Sequence, residues 1–518
     1  MASSSNQDGS NPAPAATSNR IATTACVMLA ALMQALDSTI ANVALPHMQG
    51  SLSATSEQAN WILTSYIVAA AIVTPATGIL ENRLGRRRLF IGAVGGFIAA
   101  SVLCGIAGTL TQMILFRLLQ GVFGAPLVPL AQAVLLDTYP AERRGSAMAI
   151  FGLGVMLGPI IGPSLGGWLT DYYNWRWVFY VNLPIGLITM AGLFVFLREP
   201  PQSYRQRFDV FGFAWLALAI GSFQLFLDRG EQLEWFASTE IMIEAGLALL
   251  ALYMFLVHVF TTDNAFLDVR MFGDRNFVVG QVLIFAIGAI LLATLALLTP
   301  FLERLMNFPV LQAGLVLAPR GFGTMASMLL VGQLVGRTGP RLPIIAGLLL
   351  TAYALHEMAG FTPDVSQGAI IQTGIVQGFG LGLVFVPLST ATFATLAPRF
   401  RTQGTALYSL MRNLGSSVGI SVTTMLLTRY TTIMHSNLVE HVNPFSLAVR
   451  NYADLLDLAD PAGRAQMDQQ VTQQASAIAY SNNFLLMAYA ALAVIPLVLL
   501  LRGEARKAPT KIQAVAAR

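Results

Sequence analysis

Residues 36–46 read Leu-Asp-Ser-Thr-Ile-Ala-Asn-Val-Ala-Leu-Pro and place one carboxylate, Asp37, inside an apolar run from Ile21 to Leu45. A run of this length can cross a bilayer as a helix, which takes about 20 residues. A charge in hydrocarbon is costly, so an acidic residue there usually faces a protein interior or a water-filled path. We therefore expect Asp37 to take up and release a proton, and the other spans to build a moving cavity around it.

The composition is that of a polytopic membrane protein. Hydrophobic residues make up 55% of the 518 residues and charged residues 11%, whereas a soluble domain carries roughly 25% charge. The net charge of +4 is modest and indicates no nucleic acid partner. Cys26 and Cys104 lie in apolar runs and predict neither a disulfide nor a metal site. The sequence holds no P-loop, HExxH motif or Cys/His cluster, so we expect no enzyme activity and no cofactor beyond a proton gradient.

Hydropathy predicts an all-α membrane protein with fourteen transmembrane helices. The predicted spans lie at about 21–46, 58–80, 89–109, 112–136, 145–170, 178–198, 209–228, 239–261, 277–302, 310–336, 341–361, 367–397, 404–428 and 480–502.

Arginines set the predicted orientation. They cluster after the even-numbered spans, as in residues 83–88 and 143–144, while the opposite short loops hold Arg176, Arg229 and Arg304. By the positive-inside rule, the loops after even-numbered spans and both termini are predicted to be cytoplasmic.

An internal repeat divides the chain. A motif that joins the second and third spans recurs after the tenth span with the same spacing between its residues. Gly78, Arg83, Gly85 and Arg87 correspond to Gly332, Arg337, Gly339 and Arg341. Spans one to six thus match spans nine to fourteen in order and orientation, and spans seven and eight are an insertion. Two parallel six-helix repeats with the substrate site between them form a known architecture of secondary transporters.

The expected organisation follows from the spans and the repeat. The first residues are polar without a basic region, which predicts a disordered tail rather than a signal peptide. The predicted units are a disordered cytoplasmic tail (1–20), an N-terminal six-helix half (21–198), an inserted helix pair with linkers (199–276), a C-terminal six-helix half (277–502) with an outer loop (429–479), and a cytoplasmic tail (503–518). The inserted helices should be peripheral. The outer loop is Gln-rich and is interpreted either as a surface cap or as a docking segment for a partner.

Two glycine-rich motifs predict moving parts. Gly78, Arg83 and Gly85 are interpreted as a cytoplasmic latch, because glycine permits a tight turn and arginine can bond a neighbouring helix end. Arg86, Arg87 and Arg88 are interpreted as positive-inside anchors. The fifth span holds small residues and prolines that predict a hinge, with tight static packing as the alternative: Gly158, Pro159, Gly162, Pro163, Gly166 and Gly167.

Arg117 in the fourth span is the predicted partner of Asp37. Helix rise places the two at depths that a flexible arginine stem can bridge. Pairing would favour the charged carboxylate, and separation would favour its protonation. The alternative is a static ion pair that only fixes packing. Further polar side chains at membrane depth are candidates for the substrate cavity: Gln34, Tyr66, Gln120, Arg320, Gln377 and Arg412.

These motifs together resemble one transporter family. Residues 36–46, the loop at 78–88, Arg117 with Gly121, and the glycines of 158–167 are similar to the EmrB-type (EmrB/QacA) fourteen-span drug:proton antiporters of the major facilitator superfamily. Residues 175–186, Trp-Arg-Trp-Val-Phe-Tyr-Val-Asn-Leu-Pro-Ile-Gly, look like a segment that these proteins share before the sixth span.

The chain departs from the family pattern at two positions. Asn82 stands where the loop motif usually has Asp, which weakens the charge relay of the latch, and Ala149 stands where the antiporter motif usually opens with Gly. Neither position touches Asp37 or Arg117.

The resemblance implies export of lipophilic toxic compounds, driven by proton entry. It also implies the inner membrane of a Gram-negative cell, a periplasmic adaptor of the EmrA type and an outer-membrane channel. Two alternatives stay open: an exporter of one endogenous amphiphile such as a fatty acid or siderophore, and a membrane scaffold that transports nothing.

Overall fold

The computed structural model describes residues 15–140, 143–199, 208–262, 265–442 and 460–502, and the regular elements in these ranges are helices. Thirteen of the described helices are long and apolar enough to cross a membrane. The predicted tails at 1–14 and 503–518 lie outside the described residues. Helix α1 begins at Ala15, so the end of the predicted disordered tail is wrong by several residues.

We number the helices α1–α14, one for each predicted span. The N-terminal half contains α1 (Ala15–Ser51), α2 (Ser56–Val73, a turn at Thr74–Ala76, and Thr77–Leu84), α3 (Arg86–Ile106), α4 (Leu110–Gly124 and Leu127–Thr138), α5 (Arg144–Tyr172) and α6 (Trp177–Tyr180 and Asn182–Phe196). The inserted pair is α7 (Val210–Arg229) and α8 (Thr239–Thr261).

The C-terminal half repeats the order. It contains α9 (Arg275–Pro300, continued as a π-turn at Phe301–Leu305), α10 (Val310–Leu317 and Pro319–Thr338), α11 (Arg341–Ala359), α12 (Gln367–Ala394), α13 (Arg401–Val439) and α14 (Pro461–Val498). A helix therefore coincides with each of the fourteen predicted spans, and the all-α fold prediction is confirmed. Helix α13 is not among the thirteen apolar helices, and it packs between α9 and α14.

Prolines explain the interruptions within α2, α4 and α10. Pro75, Pro126 and Pro319 stand at the breaks of these helices. Proline lacks an N–H donor and clashes with the preceding turn, so a helix bends or restarts there.

The two halves cross their second and fourth helices in the same way. A side chain on Gly121 of α4 would overlap the carbonyl oxygen of Tyr66 on α2. A side chain on Gly378 of α12 would overlap the carbonyl oxygen of Arg320 on α10. The glycines let the helix backbones touch, and they place Tyr66 and Arg320 at equivalent positions of the two halves.

The inserted helices differ from each other. Helix α8 packs on α7 and exposes large apolar side chains such as Leu249 and Phe260, so it is peripheral as predicted. Helix α7 is not peripheral, because it lies between the two halves. Gln224 of α7 donates to the hydroxyl of Ser417 on α13 at 2.9 Å, and Asp228 of α7 contacts the hydroxyl of Thr64 on α2.

The predicted outer loop is largely helical where it is described. Helices α13 and α14 have 39 and 38 residues, against about 20 that a bilayer crossing takes. They continue past the apolar region side by side, and His435 contacts Asp468 at 3.0 Å. Hydropathy marks where hydrocarbon ends and not where a helix ends, so these helices can extend into the outer loop beyond the predicted spans. Residues 443–459 lie outside the described residues.

Candidate functional site

The two predicted charges meet inside the N-terminal half. Asp37 of α1 is 0% exposed and Arg117 of α4 is 1% exposed. The Nη1 atom of Arg117 donates to Oδ2 of Asp37 at 2.8 Å. This is an ion pair fully removed from solvent, where an unpaired charge would cost several kcal/mol, as an order of magnitude.

Two amides complete the surroundings of the carboxylate. Gln120 of α4 and Asn182 of α6 each donate from their side-chain nitrogen to Oδ1 of Asp37, both at 2.8 Å. Asp37 therefore accepts three hydrogen bonds, all from N–H donors. Helices α1, α4 and α6 each contribute one part of this cluster.

Ser101 of α3 orients both amides. Its hydroxyl donates to the carbonyl oxygen of Phe179 at 2.8 Å, so its lone pairs are left to accept. The amide nitrogens of Gln120 and Asn182 donate to it at 3.2 and 3.0 Å. Each amide consequently turns its N–H groups towards Asp37 and Ser101.

The guanidinium of Arg117 has further partners. Its Nη1 donates to Oε1 of Gln120 at 2.8 Å, and its Nε donates to the carbonyl oxygen of Ile62 at 3.2 Å. Its central carbon lies 4.3 Å from the centre of the Tyr66 ring, a cation–π contact. Gln34 donates to the Tyr66 hydroxyl at 3.2 Å.

The sequence assigned three of these residues to the substrate cavity. The structure places Gln120 and Tyr66 against the ion pair and Gln34 one step further out on Tyr66, and their role in a substrate cavity stays a prediction. The sequence analysis missed Asn182 and Ser101 as site residues. Asn182 carried a signal, since it is a buried amide in the shared segment 175–186, whereas Ser101 carried none that set it apart.

The other three cavity candidates lie in the C-terminal half and do not approach Asp37. Gln377 of α12 donates to the Thr294 hydroxyl of α9 at 3.1 Å. Arg320 of α10 donates to the carbonyl oxygen of Leu291 on α9 at 3.3 Å. Arg412 lies on α13, with its backbone against Gly288 of α9.

The predicted hinge residues form the contact between α5 and α1. Side chains on Gly158, Gly162 and Gly166 would meet atoms of Ala35, Thr39 and Ile40 of α1 respectively. By contrast, a Cβ on Gly167 would lie 4.0 Å from its nearest neighbour, which is ordinary contact. Pro159 and Pro163 lie inside the helix. The contacts are those of tight packing, and hinge motion stays a prediction.

The two halves meet where the arginine-rich loops after α2, α4 and α12 gather, which we call the arginine-rich end. Arg86 pairs with Glu81, and its Nη1 donates to Asp137 at the end of α4 at 2.8 Å. Asp137 also binds Arg401 of α13, so one carboxylate connects the halves. A Cβ on Gly78 would lie 2.9 Å from Cα of Gln403 on α13.

Contacts at this end therefore involve Gly78 of the predicted latch and also Arg86, which the sequence had assigned to anchoring. Arg83, the predicted latch residue, is exposed and makes no hydrogen bond or ion pair with another described residue. The physical reason is register: Gly85 has φ +87°, and this left-handed turn directs Arg86 inwards beneath α4.

The next arginine of each loop holds a helix end. Arg87 donates to the carbonyl oxygen of Phe194 near the end of α6, and Arg341 donates to that of Leu501 after α14 at 2.7 Å. Terminal carbonyls of a helix lack partners within it, so these cations satisfy them. The repeated loop thus fastens the sixth helix of each half.

Comparisons with known proteins agree with this arrangement. The family model described as Major Facilitator Superfamily matches residues 27–420. Multidrug export protein EmrB of Escherichia coli K12 is 34% identical over 89% of this chain and 91% of its own length. Fatty acid resistance protein FarB of Neisseria gonorrhoeae is 34% identical over 91% of this chain and 94% of its own. The structure of the proton:xylose symporter XylE aligns with a TM-score of 0.58 and 16% identity over 94% of this chain and 100% of its own, which shows the fold alone.

The fourteen helices, the repeat and the family match define a multi-pass membrane protein, and the chain belongs to the major facilitator superfamily. Within that superfamily it is of the EmrB type, because the identity to the EmrB proteins extends over most of both chains.

Proposed function

We propose that this protein exports lipophilic toxic compounds in exchange for protons, by alternating access between its two six-helix halves. One observation carries the proposal: Asp37 is a fully buried carboxylate, and Arg117 is its ion-pair partner among the described residues. The names of its relatives, multidrug export proteins, support the substrate class.

The hydrogen bonds suggest how Asp37 exchanges its proton. With Arg117 in place, both carboxylate oxygens accept from N–H groups, and an added proton would face a donor. Withdrawal of Arg117 removes the cation that stabilises the charged form and so favours protonation. The Oδ1 atom of Asn182 has no partner in this conformation, and rotation of that amide would let it accept from a protonated Asp37.

Opening at the arginine-rich end would require breaking the bridge through Asp137. Arg86 of one half and Arg401 of the other share this carboxylate. Helix α5, which packs on α1 beside Asp37, also contacts α10 of the other half, where Gly145 lies against the carbonyl oxygen of Gly332. Movement of α5 would therefore couple the ion pair to the interface between the halves.

Energy would come from the proton gradient without a bound cofactor. The proposed location is the inner membrane of a Gram-negative cell, with both termini in the cytoplasm. The extensions of α13 and α14 then point into the periplasm. A membrane-fusion adaptor of the EmrA type, leading to an outer-membrane channel, is the proposed partner for these extensions.

Proton release on substrate binding tests the proposal. Purified protein in weakly buffered detergent solution should release protons when a lipophilic drug such as an uncharged dye is added. Asp37→Asn should bind the dye and release none. Unchanged release from Asp37→Asn would disprove the role of Asp37.

An exporter of one endogenous amphiphile is the second candidate. It is favoured by the buried cation Arg320 and by the equal identity to FarB, named for fatty acid resistance. A panel of drugs and amphiphiles counter-transported in vesicles separates the two, since acceptance of a single compound would end the multidrug proposal.

A further inference from the structure

The polar core of the C-terminal half contains groups without partners. Arg320 is 6% exposed. Its Nη2 atom donates to the carbonyl oxygen of Leu291, and its Nη1 atom has no hydrogen-bond partner. Oε1 of Gln377 is also buried without a partner. Leu291 and Thr294, which these two side chains contact, are one turn apart on α9. Both side chains therefore reach the same stretch of that helix.

No counterion accompanies the cation. Among the described residues, no carboxylate forms an ion pair with Arg320 or with Arg412. Burying an ion without a counterion is costly, and the residues that flank Leu291 on α9, such as Ile290, are apolar. Such a position is retained at a cost to stability unless an anion arrives from outside the chain.

Comparison of the equivalent helices shows how the site arises. Arg320 occupies on α10 the position of Tyr66 on α2, as the glycine crossings establish. Beside it stands Gly374 of α12, where a Cβ would lie 3.7 Å from Cβ of Arg320. Gly374 precedes Gln377 by three residues, as Arg117 precedes Gln120 on α4. The guanidinium is thus supplied by the second helix of this half instead of the fourth, and the equivalent position of the fourth helix, Gly374, carries no side chain.

We propose that Arg320 binds the anionic head group of an acidic amphiphile, so that the ligand completes in the C-terminal half the ion pair that Asp37 completes in the N-terminal half. The inference rests on the proposed export of lipophilic compounds and narrows the substrate class to amphiphilic carboxylic acids. A carboxylate accepts from the free Nη1 of Arg320 by a charge-assisted bond. Oε1 of Gln377 accepts from a hydroxyl or amide N–H of the same ligand.

Arg412 adds a second cation on the neighbouring helix. Its backbone lies against Gly288, one turn before Leu291 on α9, and its side chain makes no hydrogen bond or ion pair with another described residue. It raises the positive potential around α9 without an acid to balance it. We assign head-group binding to Arg320 and general attraction of anions to Arg412.

Two matched fluorescent probes test the inference. Pyrenebutanoate and pyrenebutanol share one apolar body and differ in charge, and their binding is measured on the full chain in zwitterionic nanodiscs. The unsubstituted protein should prefer the acid, and Arg320→Gln should weaken acid binding roughly 10- to 100-fold while alcohol binding is unchanged. Arg304→Gln, which removes an exposed arginine of the same half, is the control and should change neither. Equal binding of both probes to the unsubstituted protein would overturn the inference.

Further arms keep the test decisive. If Arg320→Gln does not fold, Arg320→Lys replaces it; the lysine keeps the charge but loses the planar fork, so acid binding should fall and alcohol binding should not. Equal weakening of both probes would overturn the inference. Acid binding should be the same in chloride and gluconate, and with or without anionic lipid in the nanodisc. If chloride or anionic lipid competes with the acid, that anion is the ligand of the site, and the proposal that Arg320 binds an acidic amphiphile is overturned.

The inference and the proposed function fail separately. Binding at Arg320 needs no proton exchange, so intact acid preference with no proton-coupled efflux would reject the proposed function alone. Coupled efflux without any acid preference would reject this inference alone.

Discussion

The two halves share one helical plan and differ in how their polar cores balance charge. Around Asp37 in the N-terminal half, the cation, the anion and two amides satisfy one another. Around Arg320 in the C-terminal half, a cation and an amide are left with unpaired atoms, and Thr294 offers a neutral hydroxyl to Gln377. A duplicated scaffold thus keeps its backbone crossings while its charges diverge. The balanced core suits a proton carrier, and the unbalanced core suits a charged ligand.

The largest expected effect comes from removing the anion of the balanced core. Asp37→Asn should abolish uphill export driven by an imposed pH gradient in proteoliposomes, because the amide cannot exchange a proton. Downhill movement of the same dye should persist. Glu357→Gln, which neutralises an exposed acidic residue of α11, is the matched control and should export normally. Uphill export by Asp37→Asn would remove the mechanistic distinction between the halves.

Replacement of the buried arginine should change the free energy of unfolding differently in the two halves. Arg117→Gln leaves Asp37 buried without its cation and should lower the free energy of unfolding by about 3–5 kcal/mol. Arg320→Gln removes an unpaired buried charge and should leave the ligand-free protein equally stable or more stable. Thermal unfolding of both variants in nanodiscs measures the difference. Equal destabilisation of the two variants would show that Arg320 has a stabilising ion-pair partner, contrary to the difference described between the halves.

Replacing a glycine of α5 by alanine should disturb the contact with α1 at Gly158 and not at Gly167. A Cβ on Gly158 would lie 2.6 Å from the backbone of Ala35, so Gly158→Ala must displace α1. The expected cost is about 1–3 kcal/mol, together with a loss of coupled export. Gly167→Ala, in the same helix with ordinary spacing, should behave as the unsubstituted protein. A tolerated Gly158→Ala would argue that α1 and α5 are less tightly joined than described.

The smallest predicted effect concerns the orienting hydroxyl. Ser101→Ala frees the amides of Gln120 and Asn182 to rotate, which should cost about 0.5–1.5 kcal/mol and shift the pH dependence of export. Ser101→Thr keeps the hydroxyl and should restore the original profile. Export measured over a pH series checks this. An unshifted profile in Ser101→Ala would show that the amides are held by Asp37 alone.

Much of the fold was predictable because bilayer crossing imposes a simple constraint. Apolar runs located the fourteen helices, and the repeated loop paired the two halves. Hydropathy did not decide two features of the fold. Helices α13 and α14 continue as helices past their apolar stretches, and α7 enters the interface although its sequence resembles that of a lipid-facing helix. Hydropathy reports burial from water and does not distinguish lipid from protein as the neighbour.

The candidate site was predictable in part. A carboxylate and an arginine at membrane depth are rare because burying a charge in hydrocarbon costs free energy, so Asp37 and Arg117 could be singled out from the sequence. The structure shows that they form an ion pair. Ser101, Asn182 and Arg86 could not be chosen in this way. A serine costs little in an apolar helix, and an arginine near a helix end reads as an anchor whether or not it turns inwards.

The amino-acid sequence by itself determined the number of helices, the duplication and the two charges that must hide from lipid, because these follow from the free energy of transferring residues out of water. Only the tertiary structure decided which groups face one another: the three donors on Asp37, the carboxylate of Asp137 shared between the halves, and the guanidinium of Arg320, which forms no ion pair among the described residues. These depend on helix rotation and depth, which are set by close packing at particular glycines and leave no periodic signal in the chain.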